Sequence, residues 1–275
     1  MSSADGGVGR STLTATLGGL LALACPDPVI AVDMNTRWWG GLGKRVGRTN
    51  AGTVWDAVRD VHTLTRPTEV ERWVQRGPTG LHALVGEVEI SRERRPPTLY
   101  EAMAVVAALR PLYRLVVLDL PAADTRGAWL ALAEATVPML AARATTDSLQ
   151  HTMRLLAQLR AAGLHTVADQ AVIVVMTATP AMPRDVRAVA RQAGTVAGAL
   201  LTVPYDPALA AASPIDVRRL RRATRRAVLD LAAEVLRHCP TSSEPIPAVQ
   251  VAASTAAGTA ASLALQSVPS GKERR

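Results

Sequence analysis

Phenylalanine is absent from this chain, and Trp and Tyr together make up only 3% of its 275 residues. Aromatic rings supply much of the bulk in an ordinary core. Here Ala, Val and Leu must fill the interior, within a composition that is 48% hydrophobic. Lysine is almost as scarce: Lys44 and Lys272 are the only two, so the 31 basic residues less these two leave 29 arginines. Cys25 and Cys239 stand far apart without metal-ligand spacing, which excludes a zinc ribbon or a disulfide scaffold and suits a reducing compartment. No apolar run approaches the roughly 18 residues of a membrane span, and the first residues lack the charged-then-apolar order of a secretory leader. These absences predict a cytoplasmic protein. A net charge of +8 permits contact with nucleic acid or an anionic surface without requiring either.

What is present is concentrated at the start. Ala4-Asp5-Gly6-Gly7-Val8-Gly9-Arg10-Ser11-Thr12 runs into the apolar, helix-favouring segment 13–24. Three glycines in four positions let backbone N–H groups converge on an anion, and hydroxyls follow where a helix begins, which is phosphate-binding chemistry. In the usual loop G-x-x-x-x-G-K-[ST], the lysine reaches the β and γ phosphates and the hydroxyl holds Mg²⁺. Arg10 and Ser11 stand in those two places. Further along, two short strands are predicted to end in acids. Val29-Ile30-Ala31-Val32-Asp33 is β-branched and terminates in a carboxylate, and Leu115-Val116-Val117-Leu118-Asp119 does the same before Leu120-Pro121. An acid at Asp33 would also suit a dinucleotide-binding fold, but Thr12 occupies the place where G-x-G-x-x-G needs its third glycine.

The order of these segments resembles the MinD/ParA family of ATPases over roughly residues 4–212. The first run is similar to that family's deviant loop G-K-G-G-x-G-K-T-T, with Ala4 for the first glycine, Asp5 for the signature lysine, Arg10 for the second lysine and Ser11 for threonine. The resemblance implies ATP and Mg²⁺ as cofactors. Gly6, Gly7, Val8 and Gly9 would cradle phosphates, Arg10 would meet the β and γ oxygens, and Thr12 would contact the α phosphate. Ser11 and Asp119 would hold Mg²⁺, the latter through water. Asp33-Met34-Asn35 takes the place of a D-x-D motif whose second acid activates the attacking water. Asn35 can orient a water but cannot take its proton, so Asp33, Asn35 and Arg10 form a degenerate catalytic set. Pro204-Tyr205-Asp206-Pro207-Ala208-Leu209 is similar to the family's I-P-x-D-x-x-L, which places Pro204 and Asp206 near the base. Met176-Thr177-Ala178-Thr179 lacks the asparagine that reads adenine in relatives.

The expected fold is an α/β three-layer sandwich, a mostly parallel sheet between helices, with one phosphate-loop domain over 1–239 and a disordered low-complexity tail over 240–275. Only Met1-Ser2-Ser3 precede the loop, so its first strand is expected to be missing, as a truncated start would leave it. Helices are expected over 53–64, 67–76, 146–162, 185–193 and 215–238. The last carries Arg218, Arg219, Arg221, Arg222, Arg225 and Arg226, opposite an apolar stripe; clustered cations of this kind can contact DNA phosphates nonspecifically. Trp38 and Trp39 read as an exposed interaction pair or as core, His151 as a surface residue, and the loop around 92–97 as solvated. The tail has no basic amphipathic helix with bulky anchors, so no autonomous membrane anchor is expected. The function implied is a nucleotide-dependent dimer or switch with weak or absent hydrolysis, working with an unknown protein partner. The alternatives are a scaffold that keeps the fold without turnover and a DNA-binding partitioning protein.

Overall fold

The computed structural model describes residues 1–35, 40–89 and 94–238. Trp38, Trp39, residues 92 and 93 and the tail lie outside the described residues. The elements in chain order are α1 (Arg10–Ala24), β1 (Val29–Asp33), α2 (Leu42–Val46), α3 (Val54–Arg59), α4 (Pro67–Val70), β2 (Gln75–Arg76), β3 (His82–Leu84), α5 (Leu99–Leu109), β4 (Leu115–Asp119) and α6 (Arg126–Ala133). They continue with β5 (Met139–Arg143), α7 (Thr146–Ala161), α8 (His165–Gln170), β6 (Val172–Met176), α9 (Arg184–Thr195), β7 (Ala199–Val203), α10 (Pro207–Ala210) and α11 (Arg222–Arg237).

Strands order as β2-β3-β1-β4 and β5-β6-β7, parallel throughout except for the antiparallel β2. Between β4 and β5 lies the slot of the strand that should feed the glycine loop. In place of a full strand, Met1–Ser3 occupy it. Leu120 N–H donates to Met1 O at 2.8 Å on one side, and Ser2 N–H donates to Met139 O at 2.9 Å on the other, with Ala141 N–H returning to Ser2 O at 2.9 Å. Three residues are too few to register as a strand in the sequence, yet they join the two halves of the sheet. They do not reach the start of β4, and Leu115, Val116 and Val117 are accordingly only half-buried.

Side-chain alternation along the strands divides the interior into two layers. Val29 and Ala31 of β1 face a cluster with Leu13, Leu17 and Leu21 of α1 and Val228 and Leu231 of α11. Ile30 and Val32 face the opposite cluster, with Val105 and Leu109 of α5 and Leu155 and Leu159 of α7. A core of Val, Leu, Ala and Ile thus does the work that the missing phenylalanines would do elsewhere. The expected α/β three-layer arrangement is the one observed.

Several local expectations are corrected. The helix over 53–64 is α3, opened by a Thr53–Asp56 capping box, then a separate 3₁₀ turn at Val61–Thr63. The helix over 67–76 stops at Val70, and Gln75–Arg76 instead edges the sheet. The arginine-rich helix is also broken: Arg218 and Arg219 lie on a 3₁₀ turn (Val217–Arg219), and α11 begins only after Arg221. Residues 94–97 of the segment expected to be solvated are not uniformly so, because Arg94 bridges Asp56 and Glu87 at 3.0 Å each.

Candidate functional site

The sheet's C-terminal edge gathers the residues singled out by the sequence. β1 and β4 pair in register, so Asp33 and Asp119 sit side by side. Both are buried, at 0% and 2% exposure. The Ser11 hydroxyl, in the first turn of α1, lies beside Asp119 and favours its ionised form. Gly9 caps α1 with φ +92°, in the left-handed region that only glycine adopts without cost, and no side chain caps that helix end. The first-turn amides of a 15-residue helix are therefore presented to an incoming anion, with Gly6 and Gly7 exposed just before them.

Two like charges stripped of water on neighbouring strand ends resist ionisation together. Burial, then the neighbouring Asp119 charge, lift the Asp33 carboxyl to about 7, against donated hydrogen bonds from Asn35, Gly86 and Leu42 amides. Burial likewise raises Asp119, opposed by the Ser11 hydroxyl and the Arg10 charge. Asp119 Oδ2 has no hydrogen-bond partner among the described residues. A buried carboxylate oxygen left without a donor, beside a serine hydroxyl and a glycine loop, suits a hard divalent cation bound partly through water. The residues present therefore fit Mg²⁺.

Other predicted positions fall as follows. Val8 is buried at 2% exposure and anchors the loop in the core that also holds α1. Thr12 is buried in the helix's first turn. Arg10 turns back along the loop, its Nη1 donating to Ser3 Oγ at 2.8 Å. Asn35 gives its backbone N–H to Asp33 Oδ1 at 3.0 Å, and with Pro121 it opens onto a cleft of about 410 Å³ walled by Pro96, Pro97 and Thr125. Pro204 follows β7. The Asp206 carboxylate accepts from Ala208 N–H at 3.0 Å and Arg221 N–H at 2.8 Å, holding α10 to the start of α11.

Three features at the site were not read from the sequence. Asp5 is not a bare charge at the loop, for His151 of α7 donates its Nδ1–H to Asp5 Oδ1 at 2.7 Å; burial is offset by hydrogen bonds from Ser148 and His151, and the Asp5 carboxyl stays below its ordinary range. Arg143, at the end of β5, donates to Gly6 O at 3.1 Å. Gly40 and Gly41 form a strap over Asp33 and Ser11, so tight that a Cβ on Gly41 would lie 2.7 Å from Ser11 Oγ. The paired glycines were visible in the sequence, but their contact with Ser11 and Asp33 was not.

A glycine loop opening a helix, with acids ending two adjacent parallel strands beside it, defines an α/β phosphate-loop fold. Among solved structures the chain resembles a ParA family ATPase from Chlorobium tepidum TLS, with TM-score 0.68 and 16% identity over 85% of this chain and 97% of that one. It also resembles the septum site-determining protein MinD complexed with Mg-ADP from Pyrococcus horikoshii OT3, with TM-score 0.59 and 20% identity over 85% and 93%. The chain has the fold of the MinD/ParA ATPases. Among curated sequences it is 27% identical over 235 residues to the ESX-1 secretion-associated protein EspI of Mycobacterium tuberculosis H37Rv, covering 83% of this chain. The chain spans about a third of that relative's length, 34%. No protein-family model matches the chain.

Proposed function

We propose that the chain binds ATP with Mg²⁺ at this edge and acts as a nucleotide-responsive switch with weak or absent hydrolysis. The observation that carries the reading is the in-register pair Asp33 and Asp119, with the Ser11 hydroxyl beside Asp119 and an unpartnered Asp119 Oδ2 next to the glycine loop. In this reading Ser11 and Asp119 hold the metal, which offsets phosphate charge when bound. The Gly6–Gly9 amides and the α1 N-terminus cradle the phosphates, Arg10 and Thr12 line the same loop, and Asp33 with Asn35 fixes the loop after β1. Pro204 is placed toward the base, while Asp206 serves there by holding α10 in position. Weak turnover follows from Asn35, since an amide cannot accept the water's proton. Equilibrium binding of a fluorescent ATP analogue with Mg²⁺, set beside phosphate release, checks this. Micromolar-range binding with phosphate release near the uncatalysed level is expected; absence of binding rejects the reading, and brisk release rejects its second half.

Nucleotide-bound copies pairing as a homodimer, and an unidentified protein partner, belong to the same proposal. Secretion association is the favoured context, because the curated relative carries it in its name. A cytoplasmic location is likewise proposed; no helix among the described residues is long and apolar enough to cross a membrane.

A second reading, DNA contact, draws on Arg218, Arg219, Arg221, Arg222, Arg225 and Arg226, all exposed. The patch is thinner than its sequence, because Arg218 is paired with Asp216 at 2.9 Å and Arg226 with Asp230 at 3.3 Å. The other four form no ion pair with an acid among the described residues, so a salt slope of about −3.6 is expected for duplex DNA. Changing Arg219, Arg221, Arg222 and Arg225 to Gln should remove it, and an unaltered slope eliminates this reading.

A further inference from the structure

We infer that Arg143 is a phosphate-contacting residue of the loop, supplying from the end of β5 the outward-facing cation for the polyphosphate; the inference rests on the nucleotide reading above and assigns one more residue to that site. The argument is one of charge placement. Arg10 stands in the sequence position of the loop's cation, yet its guanidinium turns to Ser3 Oγ and its charge acts on the buried Asp119 carboxyl. That charge is already opposed by Asp119. The chain's two lysines, Lys44 and Lys272, are not in the loop. Arg143 is different in each respect. It is exposed, it lies at the C-terminal end of a strand on the loop's side of the sheet, and its Nη2 reaches the carbonyl of Gly6 at 3.1 Å. Its backbone is fixed, since Arg143 pairs with Met176 in the β5–β6 ladder and its N–H donates to Ser148 Oγ at 3.1 Å. Only the side chain has to turn, from the Gly6 carbonyl oxygen to an incoming phosphate.

The neighbours give this arginine a reason to be available. Asp5 faces Arg143 but is engaged by Ser148 and His151. The carboxylate steers the guanidinium toward the loop without forming an ion pair with it among the described contacts. A neutral carbonyl holds an arginine less firmly than a phosphate does, because hydrogen bonds between charged partners are roughly twice as strong. Exchange of Gly6 O for phosphate is therefore favourable.

The test compares Mg²⁺·ATP affinity by isothermal calorimetry for the parent, Arg143→Gln, Arg143→Lys and Arg154→Gln. Arg154 is an exposed arginine on α7 and controls for loss of bulk charge. Arg143→Gln should weaken binding about tenfold, the size of one lost charged contact, with its thermal midpoint unchanged. Arg143→Lys should recover part of that loss, Arg154→Gln should stay within about twofold of the parent, and the loss for ADP should be smaller than for ATP. Parent-like affinity in Arg143→Gln overturns the assignment while leaving the nucleotide reading intact. A parent protein that binds no nucleotide removes both.

Discussion

Replacing Asp119 with Asn is expected to make the ligand-free protein more heat-stable than the parent at pH 8, and to do so much less at pH 5. The cause is the acid pair. The Asp33 carboxyl titrates at about 7 in the fold against an ordinary value of 3.8, so the folded state holds a proton that the unfolded chain has already released. Stability from this group is fully present below about pH 4 and is lost as pH rises to about 7. Over that window the loss is on the order of 4 kcal/mol. Asparagine at 119 removes the neighbouring charge, though not the burial, and so returns part of it at pH 8; a gain of about 2 kcal/mol would appear as roughly 4–8 °C for a domain of this size. At pH 5 the pair is already protonated in part and the gain shrinks. Thermal melts in EDTA at both pH values measure the difference. If the two variants differ by the same amount at pH 5 and pH 8, the acids are not coupled. Added Mg²⁺ and ATP should raise the parent's midpoint by the linkage of bound ligand to folding, whereas Asp119→Asn, having lost a metal-holding oxygen, should gain little.

Much of this site was legible because its chemistry is tied to strand ends. A buried parallel strand must be apolar along its length, so the first charged residue after such a run marks the sheet's edge. Both Val29–Asp33 and Leu115–Asp119 follow that pattern, and the structure ends β1 and β4 at those acids. Adjacency of the two acids, however, depends on strand order, which no local pattern encodes. The same limit explains what was missed. His151 and Asp5 are 146 residues apart, and Arg143 and Gly6 are 137 apart, so each contact exists only once the sheet has assembled. The break in the arginine-rich segment has a nearer cause. Asp206 captures the Arg221 N–H at 2.8 Å, and Asp216 caps the 3₁₀ turn, so the helix that periodicity predicts from 215 starts late. The three residues filling the central slot were too short for any periodicity to show.

The strap over Asp33 leads to the other large effect: Gly40→Ala should destabilise the protein by about 2–4 kcal/mol, the upper range for forcing extra volume into a packed site. A Cβ built on Gly40 lies 2.0 Å from Asp33 Oδ2 and 2.9 Å from its Cγ, closer than any real contact. Asp33 has nowhere to retreat. Its Oδ1 is held by Asn35 N–H at 3.0 Å and its Oδ2 by Gly86 N–H at 3.3 Å, and a Cβ on Gly86 would itself stand 3.1 Å from Oδ2. Either the carboxylate leaves its amide donors or the strap lifts, and each exposes a buried charge or a backbone turn. Gly6→Ala is the contrast, because a Cβ there meets no described atom within 4 Å and Gly6 has no positive φ; its stability should change by less than about 0.5 kcal/mol. Urea unfolding of Gly40→Ala, Asp33→Ala and the double variant decides whether Asp33 is the reason. With the carboxylate gone the alanine methyl has room, so Gly40→Ala should cost far less in the Asp33→Ala background than alone, a coupling of at least ~1 kcal/mol between residues in contact. Equal costs in the two backgrounds would mean that the strap rests on something other than Asp33.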